Sequence, residues 1–393
     1  MRFLLLLIAT LFFMACSCNK NDNPDPIQDP DISFYFGADL SYVNQIEDKG
    51  GIYKKNNQPA DPFTILKKHG INLVRVRLWH HPDWVYNIYG PSTVLYSGYP
   101  DVEKTIQRAK AAGMKVLLDF HYSDTWADPG KQQVPDAWKN ITSINILCDS
   151  VYNYTYKILD KLNAKNLLPE MVQIGNETNC GMMITGAQAG FPNLNVCDGN
   201  WVNFGKVVNA AINAVKQVDS ETSKSTKIIL HVADPKNLDW WMNDVINKGQ
   251  VTRFDVMGFS YYHIWHNTIG FNELSDHIKN LKSKYNKDLM VLETAYPFTT
   301  ANNDNYPNIY SGQAPVGGYD YSFDGQKQFL IALTQNMIDA GAIGLVYWEP
   351  AWITSNLTDL WNTGSSWENC AFFNYTGNLT SVVDYLNHPY SRK

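Results

Sequence analysis

MVQIGNETNC, residues 171–180, is apolar through Gly175 apart from one Gln, and then presents an amide and a carboxylate, Asn176 and Glu177. The first half reads as a buried strand. Its end is the puzzle, because a carboxylate left buried without compensation costs several kcal/mol. The group must therefore have a partner, carry a raised pKa or face a solvent-filled cleft. All three readings make the strand end a site rather than a stop.

Seven other short β-branched or aromatic runs share this character: 34–40, 71–78, 114–122, 227–234, 254–262, 289–296 and 343–350. Helical stretches lie between them. DPFTILKKHG (61–70) has Asp61 as N-cap, Pro62 at the first helical position and Gly70 as the stop. DVEKTIQRAKAAG (101–113) follows the same plan, with Asp101 as cap, Val102, Ile106 and Ala109 on one face, and Gly113 at the end. Near-continuous apolar strands alternating with helices indicate a parallel sheet covered by helices. Eight such units predict a single α/β domain, a (β/α)8 TIM barrel with extended loops. A doubly wound open sheet is the competing fold, but no Gly-rich phosphate turn follows the first run.

Polar groups gather at the C-terminal ends of these runs. They are Asp39; Arg75 and Arg77; Asp119, His121 and Asp124; Asn176 and Glu177; Asp234; Tyr261, Tyr262 and His263; Glu293; and Trp348 with Glu349. Singly, each suits a cap, a polar barrel layer, a core histidine or a core aromatic. Together they fall where barrel strands converge on one mouth. Glu177 and Glu293, on runs four and seven, are the candidate acid/base pair. Glycosidic hydrolysis needs one group to protonate the leaving oxygen and another to attack or to activate water. Arg77 is expected to keep Glu293 ionised, and burial beside Trp or Tyr to push Glu177 towards neutrality.

The 393 residues are 45% hydrophobic and 18% charged, with a net charge of -6. That acidic balance argues against a nucleic-acid partner, which demands a basic face. The twelve Trp residues suit stacking on sugar rings. MRFLLLLIATLFFMACSC (1–18) reads as a secretory signal, residues 1–17, ending near Cys16 in a lipobox-like arrangement. Residues 18–33, polar and rich in Pro and Asp, read as a flexible tether, and 34–393 as the catalytic domain. Membrane association is expected only through a lipid on Cys16, with the chain exported and held at a bacterial outer membrane or cell surface. Of Cys148, Cys180, Cys197 and Cys370, the pair Cys180 and Cys197 can close a short loop.

The segments FGADLS (36–41), VRVRLWHHP (74–82), DFHYSDTWADPGKQ (119–132), QIGNETNCGM (173–182), SYYHIWH (260–266), LETAYPF (292–298), YWEPAWI (347–353) and GSSWENCAFF (364–373) resemble the arabinogalactan endo-β-1,4-galactanases, glycoside hydrolase family 53. The resemblance implies a retaining enzyme acting on β-1,4-galactan, the neutral side chains of pectin, and on galacto-oligosaccharides. Glu177 would be its acid/base and Glu293 its nucleophile. Asn176 would contact a sugar hydroxyl, and Asp39, Arg77, His121 and Asp124 would line the mouth. Either Tyr261 or Tyr262 would hold the nucleophile. Trp348 would lie under the sugar being cleaved, and Trp79, Trp126, Trp352 and Trp367 are stacking candidates. WHHP (79–82) departs from the family pattern. No cofactor is needed for the chemistry. A structural calcium after run seven is a further implication, with Asn302 and Asp304 as ligands. A monomer is expected. The alternatives are a glycan-binding lipoprotein without activity, or a barrel endo-glycanase for another β-1,4-glycan.

Overall fold

The computed structural model describes residues 33–392. The leader, the Cys16 region and nearly all of the tether lie outside them. Eight parallel strands form a closed barrel: β1 (Tyr35–Asp39), β2 (Leu73–Leu78), β3 (Lys115–Phe120), β4 (Met171–Ile174), β5 (Lys227–Ala233), β6 (Val256–Ser260), β7 (Asp288–Glu293) and β8 (Gly344–Tyr347). Each pairs with its sequence neighbours, and β1 closes on β8 through Tyr35 against Gly344. Every apolar run of the sequence supplies one strand.

The main covering helices are α1 (Pro62–Lys68), α2 (Tyr99–Ala111), α3 (Ile144–Asn163), α4 (Trp201–Thr222), α5 (Leu238–Asn247), α6 (Leu274–Tyr285) and α7 (Phe323–Asp339). After β8 the cover is a 3-10 segment, Ser381–Asn387, packed on α7. Among the described residues no helix is long and apolar enough to cross a membrane. Asp61 caps α1 as expected, its Oδ1 accepting from Thr64 N at 2.7 Å. Asp101 does not cap α2. The helix starts two residues earlier, with Pro100 in its first turn, and the buried Asp101 accepts from Ser97 N and Asn44 Nδ2.

Side-chain alternation divides each strand between two cores. Val74, Val116, Val172, Ile228, Met257 and Val291 face the helices. Leu73, Leu117, Met171, Ile229, Val256, Met290, Leu292 and Val346 form a separate apolar plug inside the barrel. Gly258 makes room for that plug: a Cβ there would stand 2.2 Å from Leu292 Cδ1. One residue of β7 escapes the alternation. Phe259 pairs with Val291, but the next residue, Ser260, pairs with Glu293, so Leu292 is an extra residue in the register. This β-bulge turns Glu293 towards the mouth, although strict alternation would send it outward with Val291.

Cys180 and Cys197 form a disulfide that closes the loop after β4, while Cys148 and Cys370 are free.

Candidate active site

Directly above the plug, the inward positions change from apolar to polar. On β2, Leu73 is followed at alternate positions by Arg75 and Arg77; on β3, Leu117 by Asp119 and His121; on β4, Met171 by Gln173. All of these polar side chains are buried. Burial of so many is tolerable only because they bond to one another.

Arg75 is the hub. Its Nη1 donates to Asp39 Oδ2 and to Glu293 Oε1, each at 2.9 Å. Its Nη2 donates to Asp119 Oδ2 and Asn176 Oδ1, each at 2.7 Å, and Nε donates to Gln173 Oε1 at 3.1 Å. One guanidinium therefore holds the seventh-strand carboxylate and the amide beside Glu177 together. Such charge-assisted bonds are the strong class of hydrogen bond. Arg75, not Arg77, is thus the cation on Glu293. Arg77 instead pairs with Glu349 Oε1 at 2.8 Å and lies against the rings of Tyr42 and Trp126, 4.1 and 4.3 Å from their centroids.

The two candidate tyrosines separate cleanly. Tyr262 donates its phenol to Glu293 Oε2 at 2.9 Å. Tyr261 turns to the helix side, where its hydroxyl meets His263 Nδ1. Burial beside Glu293 raises the Tyr262 phenol well above its usual value, so it remains a donor.

Glu177 follows a bend in which both it and Gly175 have positive φ, 45° and 77°. A Cβ on Gly175 would meet Thr178 Cγ2 at 2.6 Å, so the bend requires glycine there. The bend delivers the carboxyl to the cleft, 2.5 Å from Ser260 Oγ. Burial first, then the Glu293 charge, raises its pKa well above 4.5. Glu293 is also raised by burial, but Arg75 and the Tyr262 hydrogen bond oppose the rise. Of the two, Glu177 is pushed further towards the neutral form, as the strand-end pattern suggested.

Both glutamates line one cleft of about 530 Å³, together with Asp39, Arg77, His121, Trp126, Asn176, Tyr262, Trp348, Trp352 and Trp367. His121 accepts at Nδ1 from Trp79 Nε1 and Ala127 N, which leaves Nε2 to donate to Asp119 at 3.1 Å. Two expectations are corrected. Asp124 stands behind the cleft, where its oxygens accept from His81 N and Asp136 N and tie two loops together. Trp79 is buried against His121 and offers no stacking face.

Ring contacts run from Trp265 through Tyr262, Trp367, Trp348 and Trp126 to Trp361. Trp265 and Trp361 are 42% and 51% exposed, as befits rings left open to a ligand. Neither was singled out from the sequence, although both are tryptophans in otherwise polar loops. Asp128 and Lys131 also line the cleft and were missed.

In the loop after β7, Asn302 Oδ1 accepts from Asn308 N and Nδ2. Asp304 gives one oxygen to Tyr306 N and the other to Ser365 N. These oxygens accept from their own loop and, through Ser365 N, from the segment after β8, and among the described residues no group of three or more His, Cys, Asp or Glu is placed to hold a metal. Asn302 and Asp304 by themselves do not make up a calcium shell of about six or more oxygens, and no part of the chemistry is routed through such an ion.

Residues 35–386 match the model of glycosyl hydrolase family 53. The chain belongs to glycoside hydrolase family 53. It is 41% identical over 355 residues to an arabinogalactan endo-β-1,4-galactanase of Cellvibrio japonicus, covering 90% of each chain. It is 36% identical to an endo-β-1,4-galactanase of Bacillus subtilis, over 85% of this chain and 76% of that one. The GH53 catalytic domain of Ignisphaera aggregans superposes with a TM-score of 0.80 at 34% identity, covering 94% of this chain and 99% of that one. As a family 53 member the protein is a glycoside hydrolase on a TIM barrel.

Proposed function

We propose that this family 53 hydrolase is a retaining endo-β-1,4-galactanase that cleaves β-1,4-galactan by double displacement. The observation that carries the reading is the unequal treatment of two carboxyls across one cleft. Glu293 is held by a cation and a phenol, whereas Glu177 has neither and is pushed towards its neutral form.

In the first step Glu293 attacks the anomeric carbon, and the bond to the leaving oxygen breaks as Glu177 gives that oxygen its proton. Arg75 and Tyr262 keep Glu293 oriented and favour its ionised form against the effect of burial until then. In the second step Glu177, now a carboxylate, takes a proton from water. The water oxygen displaces Glu293 from the sugar, and the configuration is retained overall. Asn176 faces the same cleft with its oxygen fixed by Arg75, and its amide keeps one N–H beyond that given to Ala127 O. That N–H is suited to a sugar hydroxyl. The series of rings from Trp265 to Trp361 suits a polymer lying across the cleft rather than a terminal sugar in a pit. The galactan specificity follows the names of the relatives.

The reading is tested with linear β-1,4-galactan. The expected result is release of galacto-oligosaccharides whose new anomeric centre is first β by NMR. No cleavage, or an α product, would overturn it.

The Cys180–Cys197 disulfide supports folding in an oxidising compartment, in keeping with export and anchoring through Cys16. Cys16→Ala should then move the protein from the membrane fraction to the soluble fraction. The enzyme is proposed to act as a monomer.

A further inference from the structure

Two buried polar side chains stand behind Glu177 and take no part in the two steps above. Ser260 Oγ lies 2.5 Å from Glu177 Oε1 and 3.0 Å from His231 Nε2. His231 Nδ1 lies 2.8 Å from Asn176 Oδ1. Ser260 and His231 are both completely buried, so no solvent enters this line of groups.

Counting protons gives this line of groups a direction. Asn176 Oδ1 accepts from Arg75 Nη2, so that atom is the amide oxygen and cannot donate. Gln173 Nε2 at 3.1 Å and Glu177 N at 3.4 Å also face Nδ1, but the Asn176 contact is the shortest at 2.8 Å and can hold only a hydrogen carried by Nδ1. Burial, and then the Arg75 charge, holds His231 well below its ordinary pKa, so the ring is neutral and carries only that one proton. Its Nε2 is a bare lone pair, and the hydrogen between Nε2 and Ser260 belongs to the serine. A hydroxyl has a single proton. The hydrogen in the short contact between Ser260 and Glu177 consequently comes from Glu177.

We propose that Ser260 and His231 are positioning residues that form a hydrogen-bond relay, holding the protonated acid in the cleft and coupling its charge state to Asn176. The relay has a second setting. Once Glu177 has given its proton to the leaving oxygen, the Ser260 hydroxyl turns to donate to the new carboxylate, and the lone pair of His231 Nε2 loses its donor. The acid thus has a hydrogen-bond partner in both of its charge states. His231 competes with the carboxylate for the serine proton and so favours the protonated form.

The test reads the titration of Glu177 directly, in Ser260→Ala and His231→Leu. The probe is ¹³C-carboxyl NMR of glutamate-labelled full-length enzyme, with the signal assigned by its loss in Glu177→Gln. Glu177 is also faced by Glu293 from β7, Asp128 from the loop after β3 and Arg75 from β2; His231 is faced by Arg75, His121 and His266. All of these are unchanged in both variants. Ser260→Ala removes the charge-assisted donor and should raise the Glu177 pKa by about one unit. His231→Leu frees the serine proton for the carboxylate and should lower it by a similar amount. Opposite shifts support the relay. Shifts in one direction, or none in either variant, overturn it. If His231→Leu does not fold, Ser260→Ala decides alone, and a fall or no change refutes the relay. The relay rests on the acid/base reading of Glu177. Because the titration needs no substrate, failure of the wild-type enzyme to cut galactan would sink that reading without touching this measurement.

Discussion

The inside of the barrel holds two layers with opposite construction. The lower layer, from Leu73 on β2 to Val346 on β8, is entirely apolar and needs only shape. The upper layer lies directly above it on the same strands and is nearly all polar, organised around the Arg75 guanidinium. The plug is held by burial, roughly 25 cal/mol per Å² of apolar surface. The polar layer has each group fixed by hydrogen bonds, and it retains two glutamates whose folded environment opposes their charge. One layer stabilises the molecule, and the other holds catalytic groups at a cost to stability.

Substitutions can break that division. Glu293→Gln should lower kcat by on the order of 10⁴-fold or more, because it deletes the nucleophile. Oligosaccharide binding measured by calorimetry should survive. Full turnover in this variant would refute the assignment.

Glu177→Gln should lower the rate on substrates with poor leaving groups by about 10²- to 10⁴-fold. The same variant should be more stable than the wild type near neutral pH. The native carboxyl has a raised pKa, so the folded state retains its proton after the unfolded chain has lost it. Its contribution to stability is fullest below about 4.5, the ordinary value, and falls as pH rises through the folded pKa. Removing the titration should raise Tm at pH 7 by about 1–3 °C and flatten its dependence on pH. A lower Tm throughout would place Glu177 with the stabilising layer.

Tyr262→Phe deletes one hydrogen bond to a charged group, worth about 1.5–3 kcal/mol, so kcat/KM should fall roughly 10- to 100-fold. The unfolding midpoint should fall too, because the same bond is present in the folded enzyme without substrate. In the plug, Leu117→Ala should cost about 2–5 kcal/mol of stability and leave kcat of the folded enzyme almost unchanged. A large loss of kcat there, at a temperature where the variant is fully folded, would show that the two layers are coupled.

The lower layer was easier to read than the upper. Eight apolar runs are eight strands because a parallel sheet buried on both faces demands unbroken hydrophobicity. The two glutamates were legible for the converse reason, since each interrupts such a run. Partner choice was not legible. Arg75 and Arg77 share strand, residue type and parity, and only the closure of the barrel decides which one meets Glu293. Tyr261 and Tyr262 posed the same problem, settled by the side of the wall each faces. Asp124 was misplaced because a carboxylate that ties loops and one that touches sugar have the same local sequence. Ser260 and His231 carried no signal alone; their meaning lies in a line of atoms drawn from three strands. Asp101 failed as a cap because Pro100 already lay inside the first helical turn.

The surplus residue in β7 sets a strict condition on this enzyme's sequence. With Leu292 removed, the remaining strand would fit its neighbour without interruption, and the plug would lose only one side chain. The carboxylate would still pair with Ser260 and face inward by ordinary alternation, so what the extra residue adds is a plug side chain directly beneath the nucleophile. The two neighbouring positions are therefore bound by a count as well as by chemistry. Substitution of Leu292 by another apolar residue keeps the plug filled beneath the nucleophile, whereas a single-codon deletion empties that place while the nucleophile keeps its side of the wall.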